Sequence, residues 1–327
     1  MKAPVSHHTP AGRNGPILPG LSVLLLCAVL TACSSGSTDG TGHSGSGATD
    51  VATTVTSTGT IDLSAIPLGD GYLSTTPKVG YVDSCVTSFG TGLGGAVEAV
   101  PWIDYTTKTW DSRAKPTVSG AVSWPNATFS VTASDGRRII VGNDLPIDHT
   151  TGIFPISTTD SAYDYDHNPN SITPQPISWS LPLAPPAATT PQCLGLGPIG
   201  VLSDGVYLYD ALDGEGRDAG AHEVLDSCGE HPNSIPELHH HEVPSCILAT
   251  AKGRSTLVGY AADGYGIYVE RSADGALLTN RDLDACHGRT SPVLWNGRVQ
   301  DVYHYDATLE YPYTLGCYHG TPTSTPG

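Results

Sequence analysis

The chain has 327 residues, of which 39% are hydrophobic and 14% charged, so it holds enough apolar material for a packed core and is neither disordered nor collagen-like. Lysine and arginine number 15 against 32 aspartates and glutamates, a net charge of −17. This excess of acid excludes DNA and RNA as partners, because affinity for them comes largely from basic residues. The 38 glycines and 26 prolines disfavour helix interiors and predict a mainly β, or α+β, protein with few short helices.

The amino terminus has the pattern of an export signal. Residues 1–32 carry Lys2 and Arg13 but no acid, followed by the apolar run Leu21–Leu30 and two small residues. This apolar run is shorter than the ~20 residues that a membrane-spanning helix needs. The sequence therefore predicts a cleaved signal peptide.

The end of this signal predicts a lipid anchor. The run Leu30-Thr-Ala-Cys33 resembles the lipobox of bacterial lipoproteins, in which cleavage precedes a cysteine that is then diacylated. Ordinary secretion, with Cys33 as an incidental residue of the signal, is the alternative. We expect a protein of the bacterial cell envelope, anchored to a membrane through Cys33 and facing outside the cytoplasm.

The remaining chain divides by composition. Residues 33–60 are almost all small or polar and predict a flexible Ser/Gly/Thr tether. Residues 61–141 predict a β-rich region with strands at 117–124 and 128–133, the second followed by a turn at 134–136. Residues 142–192 are rich in proline, so we assign them no regular structure.

The second half contains an internal duplication. Gly200–Tyr209 aligns with Gly259–Tyr268, each with a central Asp-Gly, and Leu225-Asp-Ser-Cys228 aligns with Leu283-Asp-Ala-Cys286. Downstream, His239-His-His241 precedes one cysteine and His304-Tyr-Asp306 precedes another. Because Asp-Gly between apolar runs is a tight-turn signal, each copy is expected to open with a hairpin.

Six cysteines remain once Cys27 and Cys33 are set aside, and an even number in an exported chain predicts three disulfides. If the two copies fold alike, their bridges are equivalent. This favours, among 15 connectivities, the pairs Cys228–Cys246, Cys286–Cys317 and Cys85–Cys193.

Long motifs in this half resemble the YHYH-domain family. They include Ala211-Leu-Asp-Gly-Glu-Gly-Arg-Asp218, Asp226-Ser-Cys-Gly-Glu-His-Pro232, Leu278–Arg289 and Tyr303–Cys317. The resemblance spans residues 142–321, which we take as one YHYH-like domain followed by a tail at 322–327. It implies an exported bacterial domain without an established activity, so no catalytic roles carry over. The first signature reads Leu238-His-His-His241 rather than Tyr-His-Tyr-His, and the second ends in Asp306.

These signatures also predict a metal site. Alternate residues of a strand share a face, so His239 lies beside His241, and His304 beside Asp306. If the two pairs face each other, three imidazoles and one carboxylate would bind one divalent metal. Zn(II) or Cu(II) fits best, with Fe(II) or Mn(II) less favoured. The alternative is that these histidines are hydrogen-bonded strand residues of a metal-free binding or structural module.

Other residues are weaker candidates. His222-Glu-Val-Leu-Asp226 resembles the H-E-x-x-H zinc motif with its last histidine replaced, which would place His222 and Asp226 on one helical face. His231 and His287 are further potential ligands. In a metal-dependent hydrolase or oxidase, Glu223 or Glu310 would serve as acid or base.

The sequence also bears on calcium and on nucleotides as ligands. Calcium fits the acidic stretches 164–168 and 210–218 only as an irregular site, because the spacing of an EF-hand is absent. A nucleotide is not expected, since the glycine-rich stretch 90–95 lacks the Lys-Ser/Thr of a phosphate loop. A small molecule, a glycan or a protein remains open as the partner.

Overall fold

The computed structural model describes residues 61–91, 96–97 and 99–323. The predicted signal peptide, Cys33 and the tether lie outside the described residues, as do residues 324–327 of the tail. Within the described ranges the fold is mainly β with only short helices, as predicted. None of the described helices is long and apolar enough to cross a bilayer.

The amino-terminal region forms very short strands. Two small sheets, ordered β1-β5-β4 and β2-β3, are built from two-residue strands. These are β1 (Ile66–Pro67), β2 (Leu73–Ser74), β3 (Val82–Asp83), β4 (Ile103–Asp104) and β5 (Thr109–Trp110). Trp102 is buried and its Nε1 donates to the Ala221 carbonyl at 2.8 Å, so this region packs against the second half of the chain.

A hairpin follows, with its turn where the sequence predicted it. Strands β6 (Phe129–Ser134) and β7 (Arg137–Gly142) are joined through Asp135 and Gly136, whose φ angles are 50° and 73°. Two consecutive positive φ angles define the tight turn that Asp-Gly favours. The strand predicted at 117–124 is wrong, because only isolated bridges at Val118 and Val122 form there.

The proline-rich stretch 142–192 contains regular structure after all. A 3₁₀ helix spans Ser161–Asp164, β8 (Ile177–Pro182) pairs with β7 in unbroken register, and β9 (Ala187–Gln192) follows. In β8, Ile177, Trp179 and Leu181 are buried while the serines between them are exposed. That alternation is typical of a half-buried strand, and the surrounding prolines obscured it.

The duplicated half forms an eight-stranded sheet in the order β12-β13-β11-β10-β14-β15-β17-β16. Its strands are β10 (Gly200–Leu202), β11 (Tyr207–Leu208), β12 (His231–Pro232), β13 (Leu238–His240), β14 (Ser255–Ala261), β15 (Gly266–Glu270), β16 (Gly288–Trp295) and β17 (Arg298–Asp306). Three short helices, α1 (Ala219–His222), α2 (Ser245–Thr250) and a 3₁₀ turn at Asn280–Asp282, lie between strands. The last strand, β18 (Tyr318–Gly320), pairs with β9.

The two copies of the repeat have the same topology. Each opens with an antiparallel hairpin around Asp-Gly, β10–β11 or β14–β15, as predicted. The second strand of each hairpin then pairs in parallel with the histidine-bearing strand, β13 or β17. Because β10 and β14 pair with each other at the centre, the histidine-bearing strands lie toward opposite ends of the sheet.

Three disulfides join Cys85 to Cys193, Cys228 to Cys246 and Cys286 to Cys317, which are the two pairs that the repeat suggested and the pair that remained by elimination. Two of them close equivalent loops of the two copies. Three disulfides are typical of an extracytoplasmic domain, since reducing compartments rarely retain them.

Candidate metal centre

Three histidines and one glutamate converge in the first copy, and we call them the triad site: His231, His239, His241 and Glu223. His231 and His239 are register partners on the antiparallel strands β12 and β13, and His241 follows β13 on the same face as His239. Glu223 caps the carboxyl end of α1, where its N–H donates to the Ala219 carbonyl. All four side chains are buried.

The donor atoms of the triad site lie at the spacing of a metal's coordination shell. His231 Nε2 lies 3.0 Å from His239 Nε2, and Glu223 Oε2 lies 3.2 Å from Nε2 of both His231 and His241. Zinc–ligand bonds of about 2.0–2.1 Å in a tetrahedron place neighbouring ligand atoms roughly 3.3 Å apart. Three neighbouring pairs of these atoms already have this spacing, and the ligand atoms of the three histidines all lie within 4.8 Å of one another.

Hydrogen bonds on the outer ring nitrogens orient two of the imidazoles. His239 Nδ1 donates to the Glu237 carbonyl at 3.3 Å, and His241 Nδ1 donates to the Asp210 carbonyl at 2.5 Å. Since a carbonyl oxygen can only accept, Nδ1 carries the hydrogen in both rings, which leaves Nε2 as the atom that could bind a metal, as in metal-bound histidines. His231 Nδ1 has only a long contact, 3.4 Å, with the amide nitrogen of Asn168.

The environment favours the metal-binding protonation state at Glu223 and His239, whereas burial is outweighed by Glu223 at His241 and the pKa of His241 is raised. Burial acts to raise the pKa of Glu223, but His231 and His241 outweigh it and hold that pKa well below its ordinary value. Burial, reinforced by the same two histidines, holds the pKa of His239 well below its ordinary value. A carboxylate and a neutral imidazole are the forms that coordinate a divalent cation.

The four-ligand site expected from His239, His241, His304 and Asp306 does not form. Each pair shares a face as predicted, but strands β11, β10, β14 and β15 separate β13 from β17. Five inter-strand steps of ~4.8 Å place the pairs roughly 24 Å apart along the sheet. The duplication produces two separate groups instead of one shared centre.

The second-copy group consists of Glu270, His304 and Asp306, and it contains a cation of its own. His304 Nε2 lies 3.3 Å from Glu270 Oε2 and 3.7 Å from Asp306 Oδ2. The Arg289 guanidinium donates to Glu270, with Nε at 2.9 Å, and lies 3.6 Å from Asp306. Burial acts to raise the pKa of Glu270, but hydrogen bonds from His304 and Arg289 lower it to about 2.

The register makes the two groups directly comparable. Arg289 is the partner of His304 in β16 and β17, as His231 is the partner of His239 in β12 and β13. His304 Nδ1 donates to the carbonyl two residues before it, as His239 Nδ1 does. The guanidinium thus occupies in the second copy the place that the third imidazole has in the first, and its positive charge repels a metal cation.

The sequence candidates around α1 lie differently from the expected helical motif. The helix ends at His222, so His222 and Asp226 do not share a helical face. His222 Nε2 lies 3.0 Å from Asp70 Oδ2, and Asp226 accepts from the backbone N–H groups of Gly152 and Cys228. Glu223 is a candidate ligand of the triad site instead. The geometry of a zinc-protease motif is therefore not formed by these residues.

The remaining candidates have structural partners. Glu310 accepts from the backbone N–H of Asn280 at 2.8 Å. In the acidic stretch 210–218, Asp213 binds Arg217, and Asp218 caps α1 and accepts from Tyr313. Calcium in these loops stays a prediction.

His287 is buried, its Nε2 lies 3.1 Å from the Thr308 hydroxyl, and it is a member of neither group. Burial lowers the pKa of His287 to about 3. A lowered histidine pKa means that only the unfolded chain takes up this proton as the pH falls below ~6.5, so stability is lost between about pH 6.5 and 3. This residue should therefore make the fold acid-sensitive.

Between pH 7.5 and 5.0, the free energy of unfolding should fall by about 2 kcal/mol more in the wild type than in His287→Asn. Asparagine tolerates the positive φ of 68° at this position. Guanidinium unfolding at both pH values, in chelator to remove metal effects, measures the difference. The exposed His167→Asn is the control, and an unchanged pH slope in His287→Asn would contradict the assignment.

The sequence reasoning missed several site residues. His231 was only a weak candidate and Glu223 was considered only as an acid or base, while Glu270 and Arg289 were not singled out. The available signal was the repeat itself, since Asp226-x-Cys-x-x-His231 aligns with Asp284-x-Cys-x-x-Arg289. Glu223 and Glu270 had no such signal, because they reach their groups from non-equivalent elements.

Comparison with protein families matches residues 178–280 to the model of the YHYH protein family. The matched range contains the complete triad site and ends before β16 and β17. Neither the curated proteins nor the solved structures contain a match to this chain.

Proposed function

We propose, from the premise that this chain carries a YHYH protein family domain at residues 178–280, that the domain holds one divalent metal ion in the triad site. The observation that carries the proposal is the convergence of His231, His239 and His241, whose ligand atoms lie within 4.8 Å of one another, with Glu223 Oε2 3.2 Å from two of them. A set of three imidazoles and one carboxylate suits Zn(II) best, with Cu(II), Fe(II) and Mn(II) as competitors.

The metal's role in this proposal is structural. Four protein donors complete a tetrahedral shell, whereas catalytic zinc sites keep one position for water or substrate. Glu223 is buried, and its Oε2 faces Nε2 of His231 and of His241 at 3.2 Å without completing a well-aligned hydrogen bond to either. A metal ion between these atoms would stabilise the buried carboxylate. The ion would fasten the β12–β13 ribbon to the end of α1.

A cleft beside this ribbon supports the same role. It has a volume of about 470 Å³ and is lined by apolar residues, several serines, a threonine and the charged residues Lys115, Asp226 and Glu242. The four triad donors are not among the described residues that line it. This cleft therefore does not open directly onto the triad donors, as expected of a structural ion.

The direct test is elemental analysis of the full, untagged chain exported to an oxidising compartment. We expect at least one zinc per chain, with one equivalent lost in Glu223→Gln, since an amide is a poorer ligand than a carboxylate. Glu310→Gln is the matched control and should keep the wild-type metal content. Wild-type protein that stays metal-free after supplementation with Zn, Cu and Mn would leave a metal-free binding or structural module.

We also propose that Cys33 carries the lipid anchor, supported by its lipobox-like context and by a disulfide-bonded domain. Cys33→Ser should release the protein from the membrane fraction into the soluble exported fraction. Mass spectrometry of the mature amino terminus should find a diacylated cysteine in the wild type. An unmodified amino terminus with unchanged fractionation in Cys33→Ser would favour ordinary secretion.

A further inference from the structure

The strands that build the triad site carry a second set of polar residues on their other face. Side chains alternate along a strand, so Glu230 and His240 point away from the face that holds His231 and His239. There they meet Asp204, from the β10–β11 turn, and His149. We call His149, Asp204 and Glu230, with His240 beside them, the reverse-face group.

Potential ligand atoms converge in this group. One donor atom from each of His149, Asp204 and Glu230 lies within 4.8 Å of the other two. His149 Nε2 lies 3.1 Å from Glu230 Oε2, and His240 Nε2 lies 3.0 Å from Asp204 Oδ2 and 3.3 Å from Glu230 Oε1. The spacing matches ligands that share one ion.

The buried carboxylate at the centre of the group has ion-pair contacts but no well-aligned hydrogen bond. Glu230 is fully buried, and its oxygens face His149 Nε2 at 3.1 Å and His240 Nε2 at 3.3 Å. Among the described residues, neither Glu230 oxygen nor His149 Nε2 completes a hydrogen bond of good geometry. A cation bound between Glu230 and Asp204 would therefore stabilise this buried carboxylate.

Surrounding contacts fix the orientation of the donors. His149 Nδ1 lies 2.8 Å from Asp148 Oδ1, which leaves Nε2 as the metal-facing atom in a carboxylate–histidine–metal arrangement. His240 Nδ1 donates to the Gly229 carbonyl at 3.0 Å and holds the ring against Asp204. His240 therefore acts as a positioning residue for the carboxylates.

The group is more open to solvent than the triad site, where the side chains of His231 and Glu223 are 8% and 7% exposed. The side chain of His149 is 15% exposed, whereas Asp204, Glu230 and His240 are fully buried. An ion could reach the group from solvent past the His149 ring. The nearby Cys228 and Cys246 are joined in a disulfide and offer no thiolate ligand.

We propose that the reverse-face group is a second, exchangeable metal site, in which His149, Asp204 and Glu230 bind a divalent cation. One imidazole and two carboxylates form a harder donor set than three imidazoles and one carboxylate, so this site favours Mn(II) relative to the triad site. Three protein ligands leave positions for water. The β12–β13 ribbon would then carry a closed site on one face and an open site on the other.

The test counts metal equivalents in the full chain after removal of metal with a chelator. Zn(II) titration should show two sites in the wild type, one in His149→Gln and one in His239→Ala. Mn(II), followed by electron paramagnetic resonance, should bind wild type and His239→Ala but at least tenfold more weakly to His149→Gln. His167→Gln, at an exposed histidine outside both groups, is the matched control.

Co(II) spectra separate the two sites and detect misfolding. The visible bands of four-coordinate Co(II) in the triad site should persist in His149→Gln and disappear in His239→Ala. Glu230→Gln should repeat the loss seen in His149→Gln. A wild type that binds a single zinc lost only in His239→Ala would overturn this inference, whereas a single zinc lost only in His149→Gln would overturn the triad site and leave the inference standing.

Discussion

His239→Ala is expected to lose the metal of the triad site and, with it, several degrees of thermal stability. The side chain supplies one of four donors, and its Nε2 lies 3.0 Å from that of His231. Changes to residues that only orient a ligand lower metal affinity about 10–100-fold, so loss of a ligand should lower it by more than about 100-fold. Titration against a chromophoric chelator measures this change.

The stability effect follows from linkage between metal binding and folding. Free metal at about 1,000 times its Kd stabilises the native state by about 4 kcal/mol. For a domain of this size, that corresponds to a Tm difference of about 8–16 °C. Calorimetry with and without chelator should show this difference in the wild type and only a small remainder in His239→Ala.

Two further variants distinguish the loss of a metal ligand from misfolding of the protein. His239→Gln keeps most of the buried volume beside Tyr209, whose ring stacks on His239 with centroids 4.1 Å apart. His167→Ala removes an exposed imidazole instead. Variants at His239 that fold, keep wild-type metal content and melt with the same sensitivity to chelator would exclude His239 as a ligand.

Arg289→His is expected to create a metal site in the second copy. The change places an imidazole opposite His304, where the first copy has His231 opposite His239, and it removes the guanidinium that lies against Glu270 and Asp306. The resulting donor set is two imidazoles and two carboxylates. We expect one additional equivalent of Zn(II) over the wild type.

This gain should be visible in stability as well as in stoichiometry. Without metal, loss of the charged hydrogen bonds to Glu270 should cost about 1.5–3 kcal/mol. With zinc at about 100 times its Kd, metal binding should stabilise the native state of Arg289→His by about 2.7 kcal/mol. Arg289→Gln removes the same charge without adding an imidazole, so it should be destabilised equally and not rescued. Equal zinc content in wild type and Arg289→His would show that the two groups are not equivalent.

The duplication explains which parts of the site were predictable. Local and repeated features appear in the sequence itself. They include the Asp-Gly turns, the shared strand face of His239 and His241, and the equivalence of two disulfides. Strand β8 shows the limit of this reasoning, because its buried Ile177, Trp179 and Leu181 alternate correctly but lie among prolines.

The sequence by itself determined a mainly β, disulfide-bonded domain with two related histidine signatures, since periodicity, turn residues and cysteine number act over short distances. Only the tertiary structure decided which signatures meet. The first strands of the two copies pair at the centre of the sheet, which forces His239 and His304 toward opposite ends. Each signature then takes its remaining partners from its own copy, Glu223 and His231 in one and Glu270 and Arg289 in the other. One copy therefore brings together potential metal ligands, whereas the other contains the guanidinium cation.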